Sequence, residues 1–271
     1  LKIKIVLLFF LFHANSFINR YLTTAVADAT NVDNIPSNIQ SDDSHLSPRF
    51  GLIFKPQENM SLYLSYSESF LPKSGDQYKK WNATSTDPDV FENTELGFKY
   101  RTDAGLNLSI AYFDQETVKG QADGVGGAEI IDFDINGIEL SVSGQIDDRN
   151  SISASLSSVD AENASGGDQK EIPELTWSLW YTHQANDMFG FSIGAVYQDE
   201  QWISGTAAGD PKLPDYTRVD MAMAITPNDS DTIRINIENL LDEDYYPYSH
   251  STHQVTVGEP ANVRVSYNKR F

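Results

Sequence analysis

Polar and apolar residues alternate with a period of two along most of the chain from Ser47 onward. Ile233, Ile235 and Ile237, for example, alternate with an arginine, an asparagine and a glutamate. A strand with one apolar and one polar face produces this pattern. The pattern predicts eleven strands, near residues 48–55, 60–70, 91–101, 106–119, 129–145, 151–160, 176–184, 189–201, 216–226, 231–239 and 262–271.

The connections between the predicted strands alternate between short and long. The short ones, rich in Asp, Asn, Gly or Pro, are 56–59, 102–105, 146–150, 185–188 and 227–230. The long ones are 71–90, 120–128, 161–175, 202–215 and 240–261. This asymmetry in loop length is typical of an outer-membrane β-barrel. Several predicted strands also reach the roughly 9–11 residues that a tilted strand needs to cross a bilayer. Their length disfavours a soluble β-sandwich or β-propeller, whose strands are typically about 5–6 residues long.

Aromatic residues near the predicted strand ends suit the interfacial girdles of such a barrel. They are Tyr63, Tyr100, Tyr112, Trp177, Trp180, Tyr181, Tyr197, Trp202 and Tyr216. If the apolar face of each strand meets lipid, the polar face lines a lumen. The mean hydropathy of -0.39 fits this arrangement, because half of every strand then faces water.

The N-terminal segment suggests export. Lys2 and Lys4 precede the apolar run 5–12, which is far shorter than the roughly 20 residues of a membrane-spanning helix. A small-residue cleavage site follows at Ala25-Val26-Ala27. The predicted division is a signal peptide at 1–27, a polar linker at 28–46 and a partial barrel at 47–271.

Composition narrows the function classes. The 271 residues include 19 Lys and Arg against 39 Asp and Glu, and the net charge of -20 argues against a nucleic-acid partner. The absence of cysteine excludes a disulfide framework, thiol catalysis and cysteine-ligated metals.

Several segments resemble the C-terminal half of TonB-dependent siderophore receptors. The most specific is 234–271, in which Asn-Leu-Leu-Asp at 239–242 is followed by Tyr245 and Tyr246. The form of this last loop looks most like the catecholate-type branch. The segments 47–76, 91–100, 135–146 and 213–225 follow in the family's order.

The resemblance implies a 22-stranded barrel filled by an N-terminal plug, which imports ferric siderophores with energy relayed by TonB. We therefore expect an all-β fold, a transmembrane antiparallel barrel of about 11 strands that resembles half of the family's barrel. The expected location is the lipid of a Gram-negative outer membrane. The implied transported ligand is an Fe(III)-siderophore. Neither a cofactor nor enzyme activity is expected, and TonB would act only through a plug. Residues 1–46 are too few to supply that plug.

The last strand resembles the signal that the barrel assembly machinery recognises, with alternate apolar residues and a terminal aromatic. The residues of this predicted signal are Val263, Val265, Tyr267 and Phe271. Lys269 departs from the signal, because an apolar residue is usual there. With this end in the periplasm, the long connections are extracellular and the short turns periplasmic.

Two predicted outer loops carry side chains that suit an anionic aromatic ligand, by charge and by stacking. The candidates are Lys73, Tyr78, Lys79, Lys80 and Trp81 in the first, and His250 and His253 in the last. For the first set, the alternative to ligand contact is that the residues belong to a solvated loop. In the last loop, the spacing of acids, tyrosines and histidines does not establish a metal site. We expect the stretch 245–247 to pack the strand end.

Charges on the predicted inner face are expected to pair with a plug or with each other. They are Glu95, Lys99, Glu139, Asp220, Arg234, Glu238 and Arg264. The alternative interpretation is that the chain forms a small outer-membrane barrel, which acts as a passive pore or as a hydrolase. A hydrolase would need a nucleophile beside a base, and no histidine after residue 27 lies in a recognisable nucleophile motif.

Overall fold

The computed structural model describes residues 4–21, 38–71, 89–122, 128–163, 166–203 and 211–271. Sixteen β-strands lie in these ranges, and twelve of them form one antiparallel sheet. The part of the chain that is described contains no helix long and apolar enough to cross a membrane.

The strands follow one another in an up-and-down order. They are β1 (Lys4–Tyr21), β2 (Asn38–Gln57), β3 (Met60–Leu71), β4 (Asp89–Arg101), β5 (Asn107–Ala122), β6 (Ala128–Gln145), β7 (Asn150–Asn163), β8 (Leu175–Gln184), β9 (Phe189–Gln198), β10 (Gln201–Trp202), β11 (Lys212–Leu213), β12 (Tyr216–Asn228), β13 (Asp231–Glu238), β14 (Tyr248–Ser251), β15 (Gln254–Thr256) and β16 (Asn262–Lys269). The pairs β10–β11 and β14–β15 are separate short hairpins, and the other strands form the sheet with β1 and β16 at its edges.

All eleven predicted strands are present, and the sheet contains a twelfth that the sequence pattern missed. Strand β1 pairs with β2 in an unbroken register from Lys4 opposite Lys55 to Tyr21 opposite Asn38. The predicted boundary between linker and barrel at residue 47 is therefore corrected, because β2 begins at Asn38. A signal peptide at 1–27 stays a prediction.

The predicted long loop at 120–128 is also corrected. Strands β5 and β6 are 16 and 18 residues long and pair as far as Ala122 opposite Ala128. At about 3.3 Å per residue, each strand is longer than the roughly 25 Å apolar band of such a barrel. The polar residues in this stretch therefore lie on strand extensions beyond the band.

The two faces of the sheet differ in chemistry. The outer face carries a continuous field of exposed apolar side chains, among them Leu62, Leu64, Leu96, Ile110, Tyr112, Ile138, Leu140, Leu179, Phe191 and Ile193. The inner face is lined with hydroxyl groups that bond across strands, at 2.6 Å for Ser109–Ser141 and 2.8 Å for Ser155–Ser178. An apolar outer face and a polar inner face suit lipid on one side and a wet lumen on the other.

The predicted aromatic girdle needs one correction. Strand register places Tyr112, Trp177 and Tyr197 on the outer face as expected, but Tyr63, Trp180 and Tyr216 on the inner face. The Tyr63 hydroxyl donates to the carboxylate of Glu95 on the neighbouring strand. These rings occupy inward positions of the period-two pattern, so they line the lumen.

Candidate functional site

Within the described ranges, the outer rim includes the connections that follow β7, β9 and β13, at residues 166–174, 199–203 with 211–215, and 239–261. The second and third connections carry the hairpins β10–β11 and β14–β15. Two clusters of side chains organise the described part of this rim.

The base of the last loop is tied together by Asn239, which is 1% exposed. Its backbone has a φ of 53°, in the left-handed region that asparagine tolerates. Its side-chain nitrogen donates to the carbonyl oxygens of Glu243 (2.8 Å) and Glu259 (3.1 Å). The carboxylate of Asp242 accepts from the backbone nitrogen of Ala261 at 2.8 Å. The first and last turns of the loop are therefore joined.

A buried carboxylate connects this loop base to the barrel wall. Asp220 lies on β12 and is 4% exposed. It accepts from the backbone nitrogen of Asn239 at 2.8 Å, and from Nη2 and Nε of Arg218 at 2.9 and 3.2 Å. Such pairing is what a buried charge requires. We call Arg218, Asp220, Asn239, Asp242 and Tyr245 the loop-base knot.

Tyr245 is the aromatic member of the knot and is 5% exposed. Its hydroxyl accepts from Nη1 of Arg218 at 3.1 Å, and its ring lies 4.8 Å from that of Tyr216. A Cβ on Gly258 would lie 2.3 Å from this ring, so only glycine fits there. The carbonyl oxygen of Pro247 accepts from the side chain of Gln198 at 3.1 Å. The prediction that this stretch packs the strand end is therefore confirmed for Tyr245.

The second cluster joins the hairpin β10–β11 to the connection after β7, beside a small cavity of about 120 Å³. The indole nitrogen of Trp202 donates to Asp168 at 2.8 Å. The ammonium group of Lys212 lies 4.2 Å from the Trp202 ring centre and 2.7 Å from a carboxylate oxygen of Glu200. The hydrogen bond to Glu200, with the other carboxylates nearby, raises the pKa of Lys212 above its ordinary value.

The inner face carries more positive than negative charge, although the chain is strongly acidic. Strand register places seven cations on it among the residues whose side chains are described: Arg49, Lys55, Lys99, Arg101, Arg218, Arg234 and Arg264. The five anions are Asp89, Glu95, Glu139, Asp220 and Glu238. Some of these charges pair with each other, as at Arg218–Asp220 and, at 3.9 Å, Arg264–Glu238. The remaining surplus favours anions in the lumen.

Acidic residues concentrate on the outer face beyond the apolar field. One row of five directly opposed positions crosses β3 to β7 and consists of Glu68, Glu92, Glu116, Asp134 and Glu162. The Tyr66 hydroxyl donates to the first two carboxylates, at 3.2 and 3.0 Å. This row marks the level at which the outer face becomes polar.

The structure describes only part of the predicted ligand site. The candidates Lys73, Tyr78, Lys79, Lys80 and Trp81 lie outside the described residues. His250 belongs to β14, although its side chain is not among those described, and His253 is exposed in the turn of the hairpin. In the described ranges, no three histidine or carboxylate side chains are grouped as ligands of a metal ion.

The predicted assembly signal lies on the free edge of the sheet. Val263, Val265 and Tyr267 alternate along β16 on the outer face and are 64%, 64% and 59% exposed. Strand β16 ends at Lys269, and Phe271 follows it fully exposed. Val263, Val265 and Tyr267 thus share one face, and their role in an assembly signal stays a prediction.

The histidines with described contacts are not arranged as hydrolase bases. Nδ1 of His183 lies 2.7 Å from the side-chain oxygen of Asn150, and Nε2 of His45 contacts the carboxylate of Glu68. Neither contact involves a serine or threonine hydroxyl. The geometry in this part of the chain gives no support to a Ser–His pair.

Comparisons with known proteins agree on one family. The family model described as TonB dependent receptor-like, beta-barrel matches residues 19–240. The chain is 28% identical over 248 residues to a protein of Acinetobacter baumannii named "Probable TonB-dependent siderophore receptor PiuA", covering 82% of this chain and 33% of that protein. It is 25% identical over 262 residues to the ferrioxamine receptor of Yersinia enterocolitica, covering 89% and 36%.

A solved structure with a similar fold is the closed form of the ferric-catecholate import receptor Fiu from E. coli. It has a TM-score of 0.78 at 20% identity, covering 90% of this chain and 39% of that one. The PiuA structure has a TM-score of 0.75 at 25% identity, covering 86% and 37%. The chain spans about a third of the length of the curated relatives.

Proposed function

This chain belongs to the TonB-dependent receptor-like β-barrel family, whose members lie in the outer membrane of Gram-negative bacteria, and we propose that the complete protein imports ferric siderophores. The family resemblance, the all-β barrel fold and the outer-membrane location expected from the sequence are confirmed. The relatives are named as receptors, which favours transport over enzyme activity.

The observation that carries the proposal is the family match over residues 19–240. The relatives that match include receptors named for siderophores, for ferrioxamine and for ferripyoverdine. The two-faced sheet supports the proposal, because its polar inner face suits a hydrated pathway. As the resemblance implies, TonB would act through a plug seated against that face.

We further propose that the ligand is an anionic, catecholate-type chelate. The inner face has a positive surplus in a chain whose net charge is -20, and this arrangement attracts anions. The lysines and aromatic residues predicted for the loop 71–90 suit the same ligand. The competing ligand is a hydroxamate, since one relative is named for ferrioxamine.

The test is iron uptake by the complete protein in a strain deleted for its own siderophore receptors. Cells receive radioactive iron as a tris-catecholate or as a trihydroxamate chelate, with and without TonB. We expect saturable, TonB-dependent uptake of the catecholate. Uptake of the trihydroxamate alone would overturn the catecholate assignment. Ion conductance without TonB-dependent uptake of either chelate would overturn the receptor proposal and favour a passive pore.

A further inference from the structure

We propose that Asp220 is the positioning residue of the last extracellular loop, residues 239–261, and that its carboxylate fixes where the hairpin β14–β15 stands on the outer rim. The proposal rests on the proposed function, because loop position matters to transport only if this rim receives a ligand. Asp220 lies on β12, in the barrel wall, whereas the loop connects β13 to β16. One side chain thus joins the wall to the loop.

The two carboxylate oxygens of Asp220 have separate partners. Oδ1 accepts from the backbone nitrogen of Asn239, where the loop begins, at 2.8 Å. Oδ2 accepts two bonds from the guanidinium of Arg218, two residues earlier on the same strand. Asp220 and Asn239 are 4% and 1% exposed, so water has little access to replace these bonds.

Both partners extend the contact to the two arms of the hairpin. Asn239, which Asp220 holds by its backbone nitrogen, donates from its side chain to the carbonyl oxygens of Glu243 and Glu259. These two residues precede and follow the hairpin. Through Arg218, Asp220 reaches Tyr245, whose carbonyl oxygen accepts from the backbone nitrogen of Gly258 at 2.7 Å. The entry and exit of the hairpin are therefore fixed relative to the wall by one carboxylate.

The hairpin that is held this way presents groups suited to contact with an aromatic ligand. Tyr248 is 61% exposed, Val257 is 70% exposed, and His253 is exposed at the turn. Binding residues are often found on loops that a rigid scaffold positions, and this loop is tied to the barrel wall. Holding such a loop in one place lowers the ordering cost of binding, so loss of the anchor weakens affinity without removing any contact residue.

The experiment uses the complete protein with Asp220→Ala and Asp220→Asn, and with Asp215→Asn as the matched control. Asp215 is an exposed aspartate just before β12 at the same rim. This chain has no cysteine, so once any cysteine elsewhere in the complete protein is replaced by serine, spin labels can be placed at Thr252→Cys on the hairpin and Asp187→Cys in the opposite turn. Pulsed electron paramagnetic resonance measures the distance between the labels. Binding of a ferric tris-catecholate chelate and heat modifiability of the barrel are measured in parallel.

We expect Asp220→Ala to broaden the label distance distribution and to weaken binding about tenfold, while the barrel stays heat-modifiable. Asp220→Asn keeps an oxygen for the nitrogen of Asn239 and is expected to lie between wild type and Asp220→Ala. Asp215→Asn is expected to match wild type. An unchanged distance distribution in both Asp220 variants would overturn the proposal. If wild type binds no chelate, the proposed function fails, yet the distance measurement still decides the anchoring role.

Discussion

Lys269 and Asp231 face each other on the outer surface of the sheet, beside the turn that joins β12 to β13. Their charged groups lie 3.6 Å apart, and the Tyr267 hydroxyl donates to the same carboxylate oxygen at 2.5 Å. The other oxygen accepts from the side chain of Asn228 at 2.8 Å. The lysine that departs from the predicted assembly signal is thus neutralised by an aspartate from the preceding strand.

The first prediction concerns this ion pair. Asp231→Asn leaves the ammonium group of Lys269 unpaired at the edge of the lipid-facing surface, where an isolated lysine is unfavourable. We expect the heat-modifiable fraction in outer membranes to fall by up to about fivefold, and Lys269→Leu in the same background to restore it. Asp229→Asn, an exposed position in the same turn, is the control. A fall that Lys269→Leu does not reverse would contradict the pairing argument.

The second prediction concerns Trp180, which lies flat over Gly194 on the inner face. A Cβ at Gly194 would lie 2.4 Å from Cδ2 of the indole, so Gly194→Ala must displace the ring. We expect a loss of about 1–3 kcal/mol in the free energy of unfolding. Chemical denaturation of the refolded barrel in vesicles measures it.

A double-mutant cycle isolates the cause of that loss. In a Trp180→Ala background the ring is gone, and Gly194→Ala is expected to cost less than about 0.5 kcal/mol. An equal cost in both backgrounds would mean that backbone conformation, and not the ring, requires glycine at this position.

The strands could be predicted from the sequence because each places apolar residues on one face. The same rule missed β1. Its run Leu7–Phe12 is apolar at successive positions and therefore matches the core of a signal peptide as well as a strand. It also missed the start of β2, since residues 38–46 are polar on both faces and resemble a linker. The pairing of the two segments is visible only in their cross-strand register.

The loop-base knot was only partly accessible to sequence reasoning. Period-two alternation put Asp220 on the correct inner face, and the resemblance singled out Asn239 as part of a hallmark. The sequence could not join them, because the contact is between a side chain and a backbone nitrogen 19 positions away. The nearby signal that could have been used is Arg218, which shares a face with Asp220 at a spacing of two.

The third prediction concerns Lys212 and Trp202 at the outer rim. The pKa of Lys212 is raised by its hydrogen bond to Glu200, so the contact is complete below the ordinary lysine value of about 10.5. It is lost as pH rises through the higher folded value. We expect the emission of Trp202, isolated by comparison with Trp202→Phe, to change only in that alkaline range. Lys212→Gln is expected to abolish the change, and an alkaline transition that persists in this variant would contradict the assignment.

The fourth prediction compares two glutamates on opposite faces of β4. Glu92 stands between Glu68 and Glu116 in the outer acidic row, and like charges directly opposite each other are unfavourable. Glu95 faces inward and accepts from the Tyr63 hydroxyl. Glu92→Gln is therefore expected to leave unfolding free energy unchanged or to raise it by about 0.2–1 kcal/mol. Glu95→Gln is expected to lower it by about 1 kcal/mol, because a charge-assisted hydrogen bond is weakened.

Chemical denaturation at low and high salt measures the unfolding free energy of both variants. The gain from Glu92→Gln should shrink as salt screens the acidic row. A loss of stability on Glu92→Gln at low salt would show that its bond from Tyr66 outweighs the repulsion.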